Sequence, residues 1–213
     1  MMEEASIIPS GYFGDSSDNI VVFEDFIDPE DLRLVQNFLP TIDEWDNGKE
    51  TEYDENGVCI YDATYWNDRM CSGEIIRRKN PVVHQTIEKY IQKMAGKVEE
   101  FFNVKVTSRP PVLMRWFEGI EQQPHADKEL NCGSPNPFPT YDLNSLIYYN
   151  DGFTGGELFF PDHGIQITPK PGLAVMFVGD RNYLHGVRTV TSGERWTTPS
   201  FYTVVENFNK GAW

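Results

Sequence analysis

The strongest periodic signal in the chain is helical. Val83, Ile87, Ile91, Met94, Val98 and Phe101 recur at steps of three and four residues, an apolar stripe one helix face wide. Pro81 stands where a helix can begin, because the first helical residue needs no amide proton. The spacing predicts a long amphipathic helix that backs a sheet. A second helix is predicted from Asp28-Pro29-Glu30-Asp31, with an N-cap, a proline at the first position and acidic residues in the first turn. It runs to about Phe38 and stops before Pro40. Asn19 to Phe23 has the β-branched character of a strand. Residues 1–18 are small and polar, and predict a loose arm or an edge strand.

Beyond Lys105 the pattern changes to short apolar runs. Val112 to Phe117, the run into His125, Leu143 to Tyr149, Glu157 to Phe160, Ile165 to Thr168, Leu173 to Val178, Leu184 to Thr189 and Thr197 to Val205 read as strands. Turns such as Pro161-Asp162-His163-Gly164 and Lys170-Pro171-Gly172 separate them. The pattern predicts a mainly β protein with flanking helices, an all-β sandwich or a jelly roll (double-stranded β-helix). The chain of 213 residues is read as one domain, 1–213, with an N-terminal support region 1–110 and a catalytic core 111–213.

Two segments resist the pattern. Residues 41–80 scatter Trp45, Tyr53, Tyr61, Tyr65 and Trp66 without a period. They read either as a lid over a substrate or as an irregular segment pinned to the core by its aromatics. Residues 128–142, rich in proline, form a long loop that springs directly from Asp127 and is expected to border a site.

Charge narrows the function classes. Eighteen Lys and Arg against 33 Asp and Glu leave −15, which argues against a phosphate-backbone partner. Solubility is the plain meaning of that charge, and attraction of a basic substrate the alternative. Cys59, Cys71 and Cys132 are an odd number without a Cys-x-x-Cys pair, as expected of free thiols in a reducing compartment. No apolar run approaches the ~18 residues of a membrane span, and Met-Met-Glu-Glu does not open a signal peptide. The expectation is a soluble, intracellular, cytoplasmic protein with no membrane and no nucleic-acid partner.

The candidate chemistry begins at His125-Ala126-Asp127. Residues two apart on a strand point to one side, so both side chains can reach one metal. His185 completes the set if the chain folds back. Two histidines and a carboxylate hold a divalent iron on one face and leave other positions open. A lone His-x-Asp is weak, arising by chance in roughly one such chain in four. The segments C-terminal to it are more specific: Leu146-Ile147-Tyr148-Tyr149-Asn150, then Gly155-Gly156-Glu157-Leu158, then Gly172-Leu173-Ala174-Val175-Met176-Phe177, then His185 and Arg195.

In this order the C-terminal half resembles the catalytic core of the Fe(II)/2-oxoglutarate-dependent oxygenases, in particular their prolyl 4-hydroxylase-like branch. The N-terminal strand, turn and helix fit it more loosely. The resemblance implies that His125, Asp127 and His185 are the metal ligands and catalytic centre. It implies that Arg195 and Tyr148 meet the far carboxylate of 2-oxoglutarate, which a guanidinium fits with two parallel hydrogen bonds. Thr197 shares a face with Arg195, either as a further contact or as an ordinary strand threonine. Arg188, three residues past His185, is expected on the opposite face. On the first core strand, relatives often carry a tyrosine facing the cosubstrate. Here Trp116 stands nearest, and it cannot replace a phenol as acceptor. Trp66, Tyr65 and Trp116 are candidate substrate contacts, while His84 and His163 are not expected to bind metal.

The implied cofactors are Fe(II), 2-oxoglutarate and O2, with ascorbate as a candidate reductant. The implied reaction releases succinate and CO2 and leaves a hydroxyl group on a substrate side chain, a prolyl residue of a peptide or protein being the first candidate. A small-molecule substrate is also compatible, and the oligomeric state is not indicated. Two other readings stand beside this one. A jelly-roll metalloenzyme that uses no 2-oxoglutarate would leave Arg195 and Tyr148 without a purpose. An inert binding module of the same fold would not need a complete triad.

Overall fold

The computed structural model describes residues 7–48 and 50–207. The N-terminal half holds β1 (Val21–Phe23), α1 (Pro29–Phe38), a hairpin of β2 (Glu52–Tyr53) and β3 (Cys59–Tyr61), β4 (Met70–Ser72), α2 (Gly73–Lys79) and α3 (Pro81–Phe102). The strand-rich half follows with β5 (Val104–Ser108), β6 (Val112–Phe117), β7 (Gln122–His125), β8 (Leu143–Tyr148) and β9 (Phe153–Gly155). It ends with β10 (Leu158–Phe160), β11 (Ile165–Ile167), β12 (Ala174–Val178), β13 (His185–Val187) and β14 (Val190–Asn207).

The helix α3 forms as its stripe predicts. Asn80 caps it by accepting from the amides of Val82 and Val83, Pro81 opens the first turn, and Asn103 ends it in the left-handed region at φ 53°. Val83, Ile87, Ile91, Met94 and Val98 are buried, but Phe101 is 47% exposed and Phe102 is buried in its place. The last step of the stripe is four residues, not three. The helix α1 has the predicted bounds, yet Asp28 does not cap it through its side chain. Its carboxylate instead meets Lys89 and Tyr90, which ties α1 to α3.

Two sheets pack face to face, the arrangement expected of a jelly roll. The larger has the order β1-β12-β8-β14-β6-β4, with β5 and β9 paired to the two ends of β14. The smaller has the order β11-β10-β13-β7. Alternation along β14 sorts its residues. Arg195, Thr197, Pro199 and Phe201 line the cavity between the sheets, while Trp196, Tyr202 and Val204 join the apolar cluster that includes α3.

Two N-terminal expectations need correction. Residues 1–6 lie outside the described residues, but 7–18 are no loose arm: Ile8 is buried, Tyr12 and Phe13 pack on the core, and Gly11 donates to Asp180 at 2.7 Å. Residues 41–80 are not wholly irregular either. Their second half is built into the frame, with β4 paired to β6 and α2 leading into α3. Three-residue strands and a seven-residue helix are too short to show a period.

Candidate active site

The smaller sheet brings the triad together. His185 on β13 stands directly opposite His125 on β7, with ring centroids 4.5 Å apart. Asp127 follows His125 by two residues and faces both rings. Its Oδ1 lies 3.4 Å from His125 Nε2 and its Oδ2 lies 3.3 Å from His185 Nε2. One ligand atom from each residue falls within 4.8 Å of the others, so the three can hold one metal ion.

The backbone sets the imidazoles. His125 Nδ1 lies 3.0 Å from the Gln123 carbonyl and His185 Nδ1 lies 3.1 Å from the Tyr183 carbonyl. A carbonyl only accepts, so in the neutral rings Nδ1 carries the proton and Nε2 keeps its lone pair toward Asp127. Gln122 reaches His125 Nε2 at 3.2 Å from the cavity wall. Burial opposes ionisation of Asp127, but the charge of His185 and the contacts of both rings outweigh it and hold the carboxyl below its usual range. Burial likewise opposes charging of His125, and Asp127 outweighs it to raise that pKa.

Asp127 is itself held. Asn144 on β8 donates to its Oδ2 at 2.6 Å, and the Asp127 amide donates to the Gly179 carbonyl at 3.0 Å. Gly179 is required there, since a Cβ at that position would lie 2.1 Å from the Tyr141 carbonyl oxygen.

The larger sheet supplies the other end of the cavity. Arg195 is fully buried on β14 beside Tyr148, whose hydroxyl is a long 3.5 Å from Nη2. Its Nε and Nη1, Thr197 Oγ1 and Trp116 Nε1 are buried without a hydrogen-bond partner among the described residues. An unpaired buried guanidinium is costly, so such a cluster suits an anion. Burial lowers the Arg195 pKa and raises that of Tyr148, each partly offset by the other. Gly156, at φ +69°, makes room: its Cβ would stand 2.8 Å from Arg195 Cδ. The cavity measures about 510 Å³ with its open mouth, and His125, Asp127, His185, Arg195 and Thr197 all line it. Two imidazole nitrogens and a carboxylate at one end, and unpartnered cationic N–H donors at the other, fit an iron-chelating dicarboxylate.

The remaining candidates divide. Trp66 and Trp116 line the cavity and meet edge to face at 5.8 Å. Tyr65 does not line it; its hydroxyl donates to the Glu121 carbonyl instead. Arg188 is exposed, over the Phe159 ring and bonded to Gln166. His84 faces Glu88 on α3, and His163 stacks on Tyr183 with Nε2 at the Asn182 carbonyl. Sequence reasoning missed Asn144, Gln122 and Gly179. For Asn144 a signal existed, because it is a polar residue on the Tyr148 face of a strand that otherwise reads as apolar.

Residues 113–203 match the 2OG-Fe(II) oxygenase superfamily. Prolyl 3-hydroxylase 2 of Homo sapiens is 34% identical over 85 residues, which are 37% of this chain and 12% of that protein. Prolyl 3-hydroxylase 3 of Mus musculus is 33% identical over 88 residues, 38% of this chain and 12% of that protein. The matched stretch thus spans a small part of these relatives' length. Among solved structures, the viral collagen prolyl hydroxylase of Paramecium bursaria Chlorella virus-1 in its 2-oxoglutarate complex superposes with a TM-score of 0.57 at 16% identity, over 89% of this chain and 98% of that one. A Trichoplax adhaerens prolyl hydroxylase with a hypoxia inducible factor peptide gives 0.58 at 15% identity, over 88% and 84%. At such identity the likeness establishes the fold alone. Residues 113–203, which carry the site, are thus similar to the 2OG-Fe(II) oxygenase superfamily, and the fold is shared with these solved prolyl hydroxylases.

Proposed function

We propose that this chain is an Fe(II)- and 2-oxoglutarate-dependent dioxygenase that hydroxylates a side chain of a peptide or protein, a prolyl residue first among them. One observation carries the reading: a single cavity with the triad at one end and Arg195, with two unpartnered nitrogens, at the other. The oxo-acid head of 2-oxoglutarate suits the metal end, and its far carboxylate suits Arg195, Tyr148 and Thr197. When bound, Fe(II) with O2 supplies the oxidation that converts 2-oxoglutarate to succinate and CO2 and hydroxylates the substrate.

The chain's own residues bind and orient. His125 and His185 offer Nε2 because backbone carbonyls occupy Nδ1. Asp127 stays ionised between them, and Asn144 fixes its orientation. Leu146, Leu158, Phe177 and Val187 give the cavity an apolar wall that limits water at the reacting centre.

A peptide substrate is supported by a row of half-buried rings. Phe201 lines the cavity and stacks on Tyr141, Tyr141 on Phe138, and Phe138 meets Tyr61 edge-on. Such rings offer contact area to a proline at low side-chain entropy cost. Trp66 adds to the apolar wall beside Trp116, while Tyr65 has no place in this reading. The names of the relatives point the same way. Ascorbate is proposed as the reductant that keeps the iron active. The free thiols Cys59, Cys71 and Cys132 support a reducing, cytoplasmic location.

The test is succinate formation from 2-oxoglutarate with Fe(II), with and without ascorbate, across proline-containing peptides and free amino acids. A peptide that stimulates turnover and gains the mass of one oxygen supports the reading. Iron binding without 2-oxoglutarate consumption would favour a different metalloenzyme. Peptide binding without either would favour an inert module.

A further inference from the structure

Arg69 is, with Arg195, one of two buried arginines among the described residues, and it lies outside the motifs that carry the family resemblance. It is 2% exposed, just before β4. Its Nε donates to the Arg115 carbonyl at 3.2 Å and its Nη1 to the Tyr65 carbonyl at 3.0 Å. Its Nη2 is buried with no hydrogen-bond partner, and among the described residues it forms no ion pair. Three rings enclose the guanidinium instead: Tyr65 at 4.2 Å, Trp66 at 4.8 Å and Trp116 at 4.4 Å from its carbon. Trp116 is also the cross-strand partner of Arg195, whose guanidinium lies 5.0 Å from the same ring. One indole therefore touches two buried cations. Its own Nε1–H is buried and unpartnered, and the residue lines the cavity.

Two uncompensated guanidiniums and an orphan N–H around one ring are costly in an empty protein and favourable beside a carboxylate. A cation on the ring face also polarises the indole, which makes its N–H a stronger donor. Building on the 2-oxoglutarate reading, we propose that Trp116 and Arg69 form a second arm of the carboxylate clamp. Trp116 Nε1–H donates to the carboxylate that Arg195 binds, and Arg69 is the positioning residue that holds the indole in that pose. Tyr65 and Trp66 thus serve the cosubstrate end, as the box around Arg69.

Calorimetric titration of the anaerobic, Fe(II)-loaded full chain tests this with two ligands: 2-oxoglutarate, and 2-oxobutyrate, which keeps the oxo-acid head but lacks the far carboxylate. Trp116→Phe keeps the ring and removes the N–H. It should bind 2-oxoglutarate roughly tenfold or more weakly and 2-oxobutyrate as the wild type does. Trp116→Tyr, with a hydroxyl donor, should recover part of the loss. Arg69→Met should weaken 2-oxoglutarate about threefold or more, with Arg69→Lys in between. Unchanged 2-oxobutyrate binding shows in each case that the metal end is intact. The clamp is overturned if Trp116→Phe binds 2-oxoglutarate like the wild type, or loses both acids equally. A wild type that binds neither acid sinks the 2-oxoglutarate reading itself.

Discussion

At the scale of single residues, the site separates groups that hold a metal from groups that hold the holders. His125→Ala, Asp127→Ala and His185→Ala should each abolish succinate formation and leave the thermal transition in place, since the three face a cavity rather than the apolar core. His84→Ala and His163→Ala are the controls, with near-normal turnover. Asn144→Ala should keep the three ligands and still lose metal affinity by about 10- to 100-fold, the range for outer-sphere partners; an unchanged iron titration would show that Asn144 is only packing. Arg195→Ala should raise the 2-oxoglutarate requirement by ~2–5 kcal/mol, because the carboxylate loses a buried charged partner. Arg188→Ala, on the exposed side, should not; the reverse result would put the wrong face of the strand in the cavity. Much of this scale was legible in the sequence, because a triad depends on residue type and strand parity. Gln122 and Arg69 were not, and Asn144 only as a polar residue on the Tyr148 face of β8. The roles of Asn144 and Arg69 come from contacts with Asp127 and with Arg115 and Trp116, residues distant along the chain.

Elements were legible in proportion to their length. The 22 residues of α3 repeat their stripe several times, whereas β4 has three residues and shows none. The strand β14 was read as beginning at Thr197, but it begins at Val190. Its first residues pair with β9 through a register shift between Val190 and Ser192, and Gly193 stands at φ +75° where a Cβ would lie 2.2 Å from the Gly152 carbonyl oxygen. The segment 61–73 shows the cost of lacking a period, since Tyr65 and Trp66 pack around Arg69 while Tyr61 meets Phe138. Limited proteolysis should therefore cut within 128–142 of the free protein and spare 61–73. Trp66→Ala should lower stability by ~3–5 kcal/mol, as removal of a buried indole does. Early cleavage between Tyr61 and Gly73, with no change in melting temperature for Trp66→Ala, would restore the lid.

Across the whole molecule, the N-terminal arm is latched to the two segments that present the ligands. Ser10 Oγ donates to Glu129 at 2.5 Å, and Tyr183 Oη reaches the carbonyls of Gly14 and Ser16 at 3.2 Å. The centre of this latch is Lys128, next to Asp127 and 5% exposed. Its ammonium donates to the Ile8 carbonyl and to Asp142, each at 2.6 Å, while Asp142 also accepts from the Val204 amide at 3.0 Å. Burial raises the Asp142 pKa and Lys128 pulls it back, with a net rise above 3.8. Lys128→Met removes the partner and leaves a buried carboxylate, which should cost about 3–5 kcal/mol at neutral pH. That cost depends on pH. In the variant the folded pKa of Asp142 climbs further while the unfolded value stays, so the folded state binds more protons and the variant loses stability as pH rises between the two. Thermal unfolding should show the largest deficit against wild type near neutrality and a smaller one as the pH falls toward the carboxylate range. Lys128→Met with Asp142→Leu should recover much of the loss. A deficit independent of pH, or a double variant as weak as the single one, would mean that Lys128 acts through packing and its bond to Ile8, and not through the ion pair.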